Sequence, residues 1–297
     1  MNLPADVPTL DRLARPSGTF AMVAMAQRES LRTMLREESR PADDAALVSF
    51  KLDVAATLAP LASAFLIDRH FGYPEIVRDR LLPPGCGLIL AADDLTQPPG
   101  GPVEDTALDT GVDPDRARRD GVVALKLLVI WKRDGDHERR VALAHRFVEL
   151  CRHAGLLSVL EPVAVAAPGE PDFDLDAAIL DAAAALGPVG PDLYKAQVPR
   201  RGRGDLGDLV AACEKLDRQL GRPWVVLSNG VAAVDFPTAV EAACRGGASG
   251  MLAGRALWRD ALATPDPAAA LRTEAVDRLR RLADTVDRYG RPWTGAR

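Results

Sequence analysis

Histidine and cysteine, the side chains that most often bind transition metals, are scarce in this sequence, with four of each among 297 residues. The cysteines are isolated and form no CxxC pair, so we expect free and mostly buried thiols. His137, His145 and His153 belong to one segment with helical periodicity, and only His70 lies near the end of a predicted strand. We therefore predict neither a metal site nor another cofactor.

The sequence also lacks long hydrophobic runs and blocks of one charge. No stretch reaches the roughly 18 uninterrupted apolar residues that a membrane span needs, and residues 1 to 11 contain no basic cluster followed by an apolar run. The 42 acidic and 37 basic residues are spread along the chain and give a net charge of -5. Without a basic patch to hold a polyanion, we expect a cytoplasmic protein that binds neither membranes nor nucleic acid.

Short apolar runs rich in β-branched residues recur eight times, each followed by a segment of helical periodicity. This alternation predicts parallel strands that are buried on both faces. Eight units favour a single (β/α)₈ barrel domain over residues 1 to 297, and an open doubly wound sheet is disfavoured because no GxGxxG motif follows the first strand. The predicted strands are residues 20–25, 64–68, 86–92, 124–131, 156–163, 192–198, 224–229 and 250–254.

Amphipathic helices are predicted between the strands, for example at residues 138–153, 175–186 and 208–220. The last two precede Gly187 and Gly221, which occupy plausible C-cap positions. Two segments rich in proline follow strands and predict irregular loops over the barrel mouth. They are residues 96–114 and 166–174.

Polar residues cluster at the ends of the predicted strands. Because active sites of (β/α)₈ barrels lie at the C-terminal ends of the strands, each of these residues is a candidate site residue. The candidates are Gln27, Arg28, Asp68, Asp93, Asp94, Lys126, Glu161, Lys195, Ser228, Asn229 and Arg255.

Lys126 and Lys195 lie inside otherwise apolar strands. A lysine in such a position must either desolvate its ammonium group or release its proton, and a neutral amine can attack a ketone to form a Schiff base. Each lysine could lower the pKa of the other. The alternative is that each pairs structurally with Glu161 or with an aspartate inside the barrel.

The ends of the last two strands predict an anion site. Loops at these positions commonly hold phosphate through glycine backbone amides, and Arg255 adds a guanidinium that could bind an oxyanion. Gly230 and Gly254 are the candidate glycines, although both could instead belong to ordinary turns between strand and helix.

With these residues in view, the sequence resembles the class I tagatose-bisphosphate aldolase family, and within it the bacterial sulfofructose-phosphate aldolases. The resemblance rests on many short matches in one order along nearly the whole chain. They lie at residues 20–22, 27–29, 67–68, 91–93, 124–129, 161–163, 192–195, 247–250 and 252–258.

The resemblance implies a metal-independent aldolase that splits a phosphorylated or sulfonated ketose into dihydroxyacetone phosphate and an aldehyde. It implies that Lys195 forms the Schiff base, that Glu161 transfers protons and that Lys126 is their cationic neighbour. Ser228, Gly230, Gly254 and Arg255 would bind an anionic group of the substrate. We add Gln27, Arg28, Asp68 and Asn229 as substrate-binding candidates, and we expect a homo-oligomer.

Three positions depart from the family pattern. Ala26 stands where the family has an aspartate that is expected to handle protons, and losing a positioned general base costs about 10²- to 10⁴-fold in rate. Gln197 replaces a glutamate two residues after Lys195, and Asn229 adds an amide to the anion pocket.

Two further hypotheses remain open from the sequence. The barrel could keep the sugar-phosphate pocket but have lost efficient cleavage, and could then act as a binding or regulatory protein. Ala26 is the main support for this hypothesis. The chain could also be a related imine-forming lyase that acts on a deoxy-keto sugar acid phosphate.

Overall fold

A closed barrel of eight parallel strands forms the centre of the molecule in the computed structural model, which describes residues 8–98 and 100–295. The strands are β1 Phe20–Met25, β2 Ala64–Ile67, β3 Gly87–Ala91, β4 Asp93–Thr96, β5 Asp105–Leu108, β6 Val122–Trp131, β7 Leu157–Ala164, β8 Leu193–Ala196, β9 Trp224–Val226 and β10 Gly250–Ala253. The barrel order is β1-β10-β9-β8-β7-β6-β3-β2, while β4 and β5 form a separate hairpin. The predicted (β/α)₈ fold is confirmed, with all eight barrel strands at the predicted places.

Helices follow the barrel strands and cover the outside of the sheet. They are α1 Glu29–Glu37, α2 Asp44–Leu58, α3 Tyr73–Arg78, α4 Pro114–Arg119, α5 His137–Ala154, α6 Leu175–Leu186, α7 Leu206–Leu220, α8 Phe236–Arg245, α9 Arg255–Leu262, α10 Pro267–Ala270 and α11 Val276–Tyr289. No helix in the described part of the chain is long and apolar enough to cross a membrane.

Aspartates begin several of these helices. The side chain of Asp43 accepts a hydrogen bond from the Ala46 backbone N–H at the start of α2, and Asp174 does the same for Ala177 in α6. Gly221 ends α7 in the left-handed conformation, as predicted. Gly187 is the C-cap residue of α6, also as predicted, although its backbone stays right-handed and the chain continues into a 3₁₀ turn that ends at the left-handed Gly190.

Side chains alternate between the barrel interior and the helical layer, as the period of a strand requires. On β1, Met22 and Ala24 pack with the interior cluster, whereas Val23 and Met25 pack against the helices. On β6, Ala124 belongs to the interior cluster, so Lys126 two residues later also points inward. This alternation aims the polar strand-end side chains at one another.

The segment 96–114, predicted as an irregular loop, contains the last residue of β4 and the whole of β5, which pair as a hairpin. Asp93 of β4 pairs with Leu108 of β5, and Thr96 pairs with Asp105. The prediction missed these strands because proline and glycine dominate the segment, although most of them lie in the connection between the two strands. The hairpin brings Val103 and its neighbours over the barrel mouth.

Candidate active site

A cavity of about 310 Å³ opens at the C-terminal end of the barrel. This volume lies at the lower end of the range for small-molecule sites. The cavity is lined by side chains from the ends of β1, β6, β7, β8 and β9, from the start of α9 and from the β4–β5 hairpin. Lys195 and Glu161 are among the lining residues and both are buried.

Lysines and carboxylates alternate along one side of the cavity. Lys195 Nζ lies 2.8 Å from Glu161 Oε1, and Lys126 Nζ lies 3.1 Å from Glu161 Oε2. Lys126 Nζ also lies 2.6 Å from Asp93 Oδ2, and Arg28 Nη2 lies 2.6 Å from Asp93 Oδ1. We call these five residues the charged cluster.

Burial and neighbouring charges shift the pKa values of the charged cluster in different directions. Burial lowers the pKa of Lys195, and the positive charge of Lys126 adds to that effect, against the opposing influence of Glu161. Burial also disfavours the charged form of Lys126, but the carboxylates of Asp93 and Glu161 outweigh it and raise its pKa. Burial would raise the pKa of Glu161, but both lysines outweigh that effect and the net shift is downward. Of the two lysines, Lys195 is therefore the one whose neutral form is favoured.

Arg255 and Asn229 form the opposite side of the cavity. Arg255 Nη2 donates to Asn229 Oδ1. Within the described residues no carboxylate lies within 4.0 Å of Arg255, and burial lowers its pKa. An arginine that is partly buried without a carboxylate partner can bind an anionic ligand.

Comparison with known proteins decides the family. Residues 20–260 match the sequence profile described as DeoC/LacD family aldolase. The chain belongs to the DeoC/LacD aldolase family. This membership supports a carbon–carbon lyase of the aldolase type.

Relatives of this DeoC/LacD aldolase match along most of its length. A tagatose 1,6-diphosphate aldolase of Listeria monocytogenes is 26% identical, over 96% of this chain and 92% of the relative. A tagatose 1,6-diphosphate aldolase of Streptococcus mutans is 28% identical, over 84% of this chain and 83% of the relative. In structure, a fructose-bisphosphate aldolase from Plasmodium falciparum matches with a TM-score of 0.71 at 12% identity, covering 98% of this chain and 99% of the other, which shows the shared fold.

Asp68 does not lie in the cavity of this DeoC/LacD aldolase. It is fully buried, its Oδ2 accepts a hydrogen bond from Lys51 Nζ, and its Oδ1 accepts hydrogen bonds from the backbone N–H groups of His70 and Phe71, each at 3.0 Å. The carboxylate of Asp68 therefore connects α2 to the loop after β2, outside the cavity, and the role of Asp68 in substrate binding stays a prediction.

Ser228, Gly230 and Gly254 do not line the cavity either, although they lie close to it along the chain. A Cβ at Gly254 would lie 2.7 Å from the Ala24 carbonyl oxygen, so this glycine is required by close packing between the ends of β10 and β1. Gly230 has a φ of +79°, which favours glycine in a turn. The structure brings Gln27, Arg28, Asn229 and Arg255 together, and places these three residues outside.

Two features of the site were not assigned roles from the sequence. Asp93 was noted as a strand-end residue, and the structure shows that it joins Arg28 to Lys126. The hairpin contributes Leu95 and Val103 to the cavity wall. The sequence signal for Asp93 is its position. Asp93 follows the apolar run of β3, just as Glu161 follows the apolar run at the start of β7.

The departures from the family pattern lie in or beside the cavity. Ala26 is among the lining residues. Gln197 is buried, and its Oε1 accepts a hydrogen bond from the Ala164 backbone N–H at 2.6 Å. Gln197 therefore ties the end of β8 to β7, while Ala26 leaves the cavity without a carboxylate at its position.

Proposed function

We propose that this chain is a Schiff-base aldolase that cleaves a ketose bearing a phosphate or sulfonate group into dihydroxyacetone phosphate and an aldehyde. Lys195 would form the covalent intermediate. The observation that carries the proposal is a buried amine at a cavity wall, 2.8 Å from a carboxylate and with a lowered pKa. A neutral amine is the nucleophile that imine formation requires.

The reaction begins when the neutral amine of Lys195 attacks the substrate carbonyl carbon. The carbinolamine takes up a proton and loses water to give an iminium ion. The hydroxyl group on the carbon two bonds further along then gives up its proton, its oxygen forms the carbonyl of the departing aldehyde, and the electrons of the broken carbon–carbon bond pass into an enamine. Protonation of the enamine carbon and hydrolysis release dihydroxyacetone phosphate and restore the lysine.

Glu161 is suited to move protons in these steps. Its lowered pKa keeps it ionised, so it can accept a proton, and its Oε1 already contacts the amine of Lys195. Lys126 keeps Glu161 charged and helps to lower the pKa of Lys195. Asp93 holds Lys126 in place from the other side.

Arg255 is proposed to bind the anionic group of the substrate. It contacts Asn229, so its guanidinium is oriented at the cavity wall. The names of the relatives, tagatose 1,6-diphosphate aldolases, are consistent with a phosphorylated ketose. A charged hydrogen bond of this kind contributes about 1.5 to 3 kcal/mol.

Ala26 favours the second candidate function, a barrel that binds sugar phosphates but cleaves them weakly. The site then lacks one proton-handling group, and Glu161 must serve in several steps. An imine-forming lyase acting on a deoxy-keto sugar acid phosphate is the third candidate, and it would use the same lysine.

The test is borohydride trapping with a panel of ketose phosphates, followed by peptide mass spectrometry. We expect a reduced adduct on Lys195 and release of dihydroxyacetone phosphate from at least one ketose. Trapping without product release would favour the binding protein, and an adduct on Lys126 would contradict the assignment of the nucleophile.

A further inference from the structure

The walls of the cavity differ in polarity. The end of β1, the loop after β9 and the start of α9 contribute Gln27, Arg28, Asn229 and Arg255. Beyond Lys126 and Glu161, the C-terminal parts of β6 and β7 and the hairpin connection contribute aliphatic side chains, with Gln97 as a polar neighbour. Val103, Leu128, Ile130, Val163 and Val165 form this apolar wall.

The positive charges of the cavity differ in how they are neutralised, and the one nearest the apolar wall, Lys126, is paired with Asp93 and Glu161. Among the described residues the basic side chains that line the cavity are Arg28, Lys126, Lys195 and Arg255, against two carboxylates. Lys195 is the proposed nucleophile, and the other three basic side chains exceed the two carboxylates by one positive charge. Arg28 already pairs with Asp93, so Arg255 is the cation available to an anion. The site therefore offers charge complementarity for one anionic group.

On the basis of the proposed function, we infer that the substrate of this aldolase carries its anionic group on the ketone half only and has an aliphatic aldehyde half. The anion lies at Arg255, the carbonyl carbon lies at Lys195, and the remaining carbons extend along the apolar wall. A second phosphate or a sulfonate there would lose its hydration without gaining a cation.

Aliphatic carbons gain from the same wall, because burying a methylene group is favourable by an amount that corresponds to about a fourfold increase in binding. The hydroxyl groups of an unmodified sugar would find no partner on the side chains of Val163 or Leu128. The wall thus selects against the polar aldehydes that other sugars would release.

The inference is tested in the direction of synthesis. Dihydroxyacetone phosphate would form an enamine on Lys195, whose carbon attacks the aldehyde carbonyl; the aldehyde oxygen takes up a proton, and water releases the ketose. We expect kcat/KM to rise about fourfold per methylene group from propanal to pentanal. Butanal is expected to exceed glyceraldehyde 3-phosphate by at least about tenfold.

A variant pair locates the effect. Val165→Thr keeps the shape of the side chain but places a hydroxyl group in the apolar wall, so the ratio of kcat/KM for pentanal to that for propanal should fall. Val234→Thr makes the same change at a position that is 82% exposed and outside the cavity, and the ratio should stay as in the wild type.

Two results would overturn the inference and are distinguishable. If dihydroxyacetone phosphate is trapped on Lys195 but glyceraldehyde 3-phosphate is used as well as butanal or better, the apolar wall does not select the aldehyde and the proposed function stands. If borohydride traps no adduct from dihydroxyacetone phosphate, the proposed function fails and the inference fails with it.

Discussion

Lys51 and Lys195 are both buried beside carboxylates, yet their surroundings differ. Lys51 projects from α2, pairs with Asp68 and lies 5.4 Å from the centre of the Phe71 ring. Burial lowers its pKa to about 8, so the titration of Lys51 alone would make it as plausible a nucleophile as Lys195. Of these two lysines, however, only Lys195 lines the cavity. The comparison teaches that a buried lysine with a lowered pKa becomes a candidate nucleophile when a substrate can reach it.

The largest expected effect comes from removing the amine that faces the cavity. Lys195→Met should abolish borohydride trapping and reduce aldol cleavage by at least about 10³-fold, because no other amine would form the covalent intermediate in its place. The thermal unfolding midpoint checks that the fold is retained. An adduct that persists in Lys195→Met would remove the distinction between the two lysines.

Removing the amine of the buried Lys51–Asp68 pair should lower the stability of the fold. Lys51→Met leaves the Asp68 carboxylate buried without its cation, and the free energy of unfolding should fall by about 3 to 5 kcal/mol. Urea denaturation measures this loss. In the double variant Lys51→Met with Asp68→Asn, the amide oxygen still accepts the hydrogen bonds from His70 and Phe71, so much of the stability should return. A loss below about 1 kcal/mol in the single variant would contradict the structural role.

The two lysines also show what could be predicted from sequence. Lys195 was found because strand periodicity and the barrel rule place it at a strand end facing inward. The partner of Asp68 was missed because Lys51 belongs to a helix, and a contact between a helix and a distant strand end leaves no periodic signal. The β4–β5 hairpin was missed for a similar reason. Its short strands are recognised by their pairing in the structure and leave no periodic signal in the sequence. The sequence therefore predicted the barrel and much of the charged cluster, but not the apolar wall.

The anion site lies apart from both lysine pairs and should give the next largest effect. Arg255→Ala is expected to weaken substrate binding by about 1.5 to 3 kcal/mol, or roughly 10- to 150-fold in KM, because a charged hydrogen bond is lost. Arg259→Ala, one turn further along α9 and largely exposed, is the matched control. An unchanged KM across anionic ketoses in Arg255→Ala would place the anion elsewhere.

The pH dependence of imine formation separates Lys195 from an ordinary lysine. Its pKa is lowered from 10.5, so the neutral fraction rises with pH and reaches one half below pH 10.5. Below that pKa, the trapping rate should increase by up to about tenfold per pH unit.

Lys126→Met removes a positive neighbour and should shift this pH profile to higher pH, because Lys126 lowers the pKa of Lys195. Trapping rates between pH 6 and 10 measure the shift. A shift to lower pH would mean that the neighbouring carboxylates, rather than Lys126, control the amine.

The smallest expected effect concerns Ala26, on the charged side of the cavity near Arg28. Ala26→Asp restores the carboxylate of the family pattern, and a base near the reacting hydroxyl should raise cleavage of hydroxylated ketose phosphates by about tenfold. This is less than the full contribution of an evolved base, since Arg28 and Arg255 would compete for the new charge. Ala26→Asn fills similar space without a base and controls for volume. A gain confined to Ala26→Asp would mean that Glu161 limits proton transfer in the wild type. A loss in both variants on the best substrate would instead mean that the small side chain is needed for space, and that the site is specialised rather than weakened.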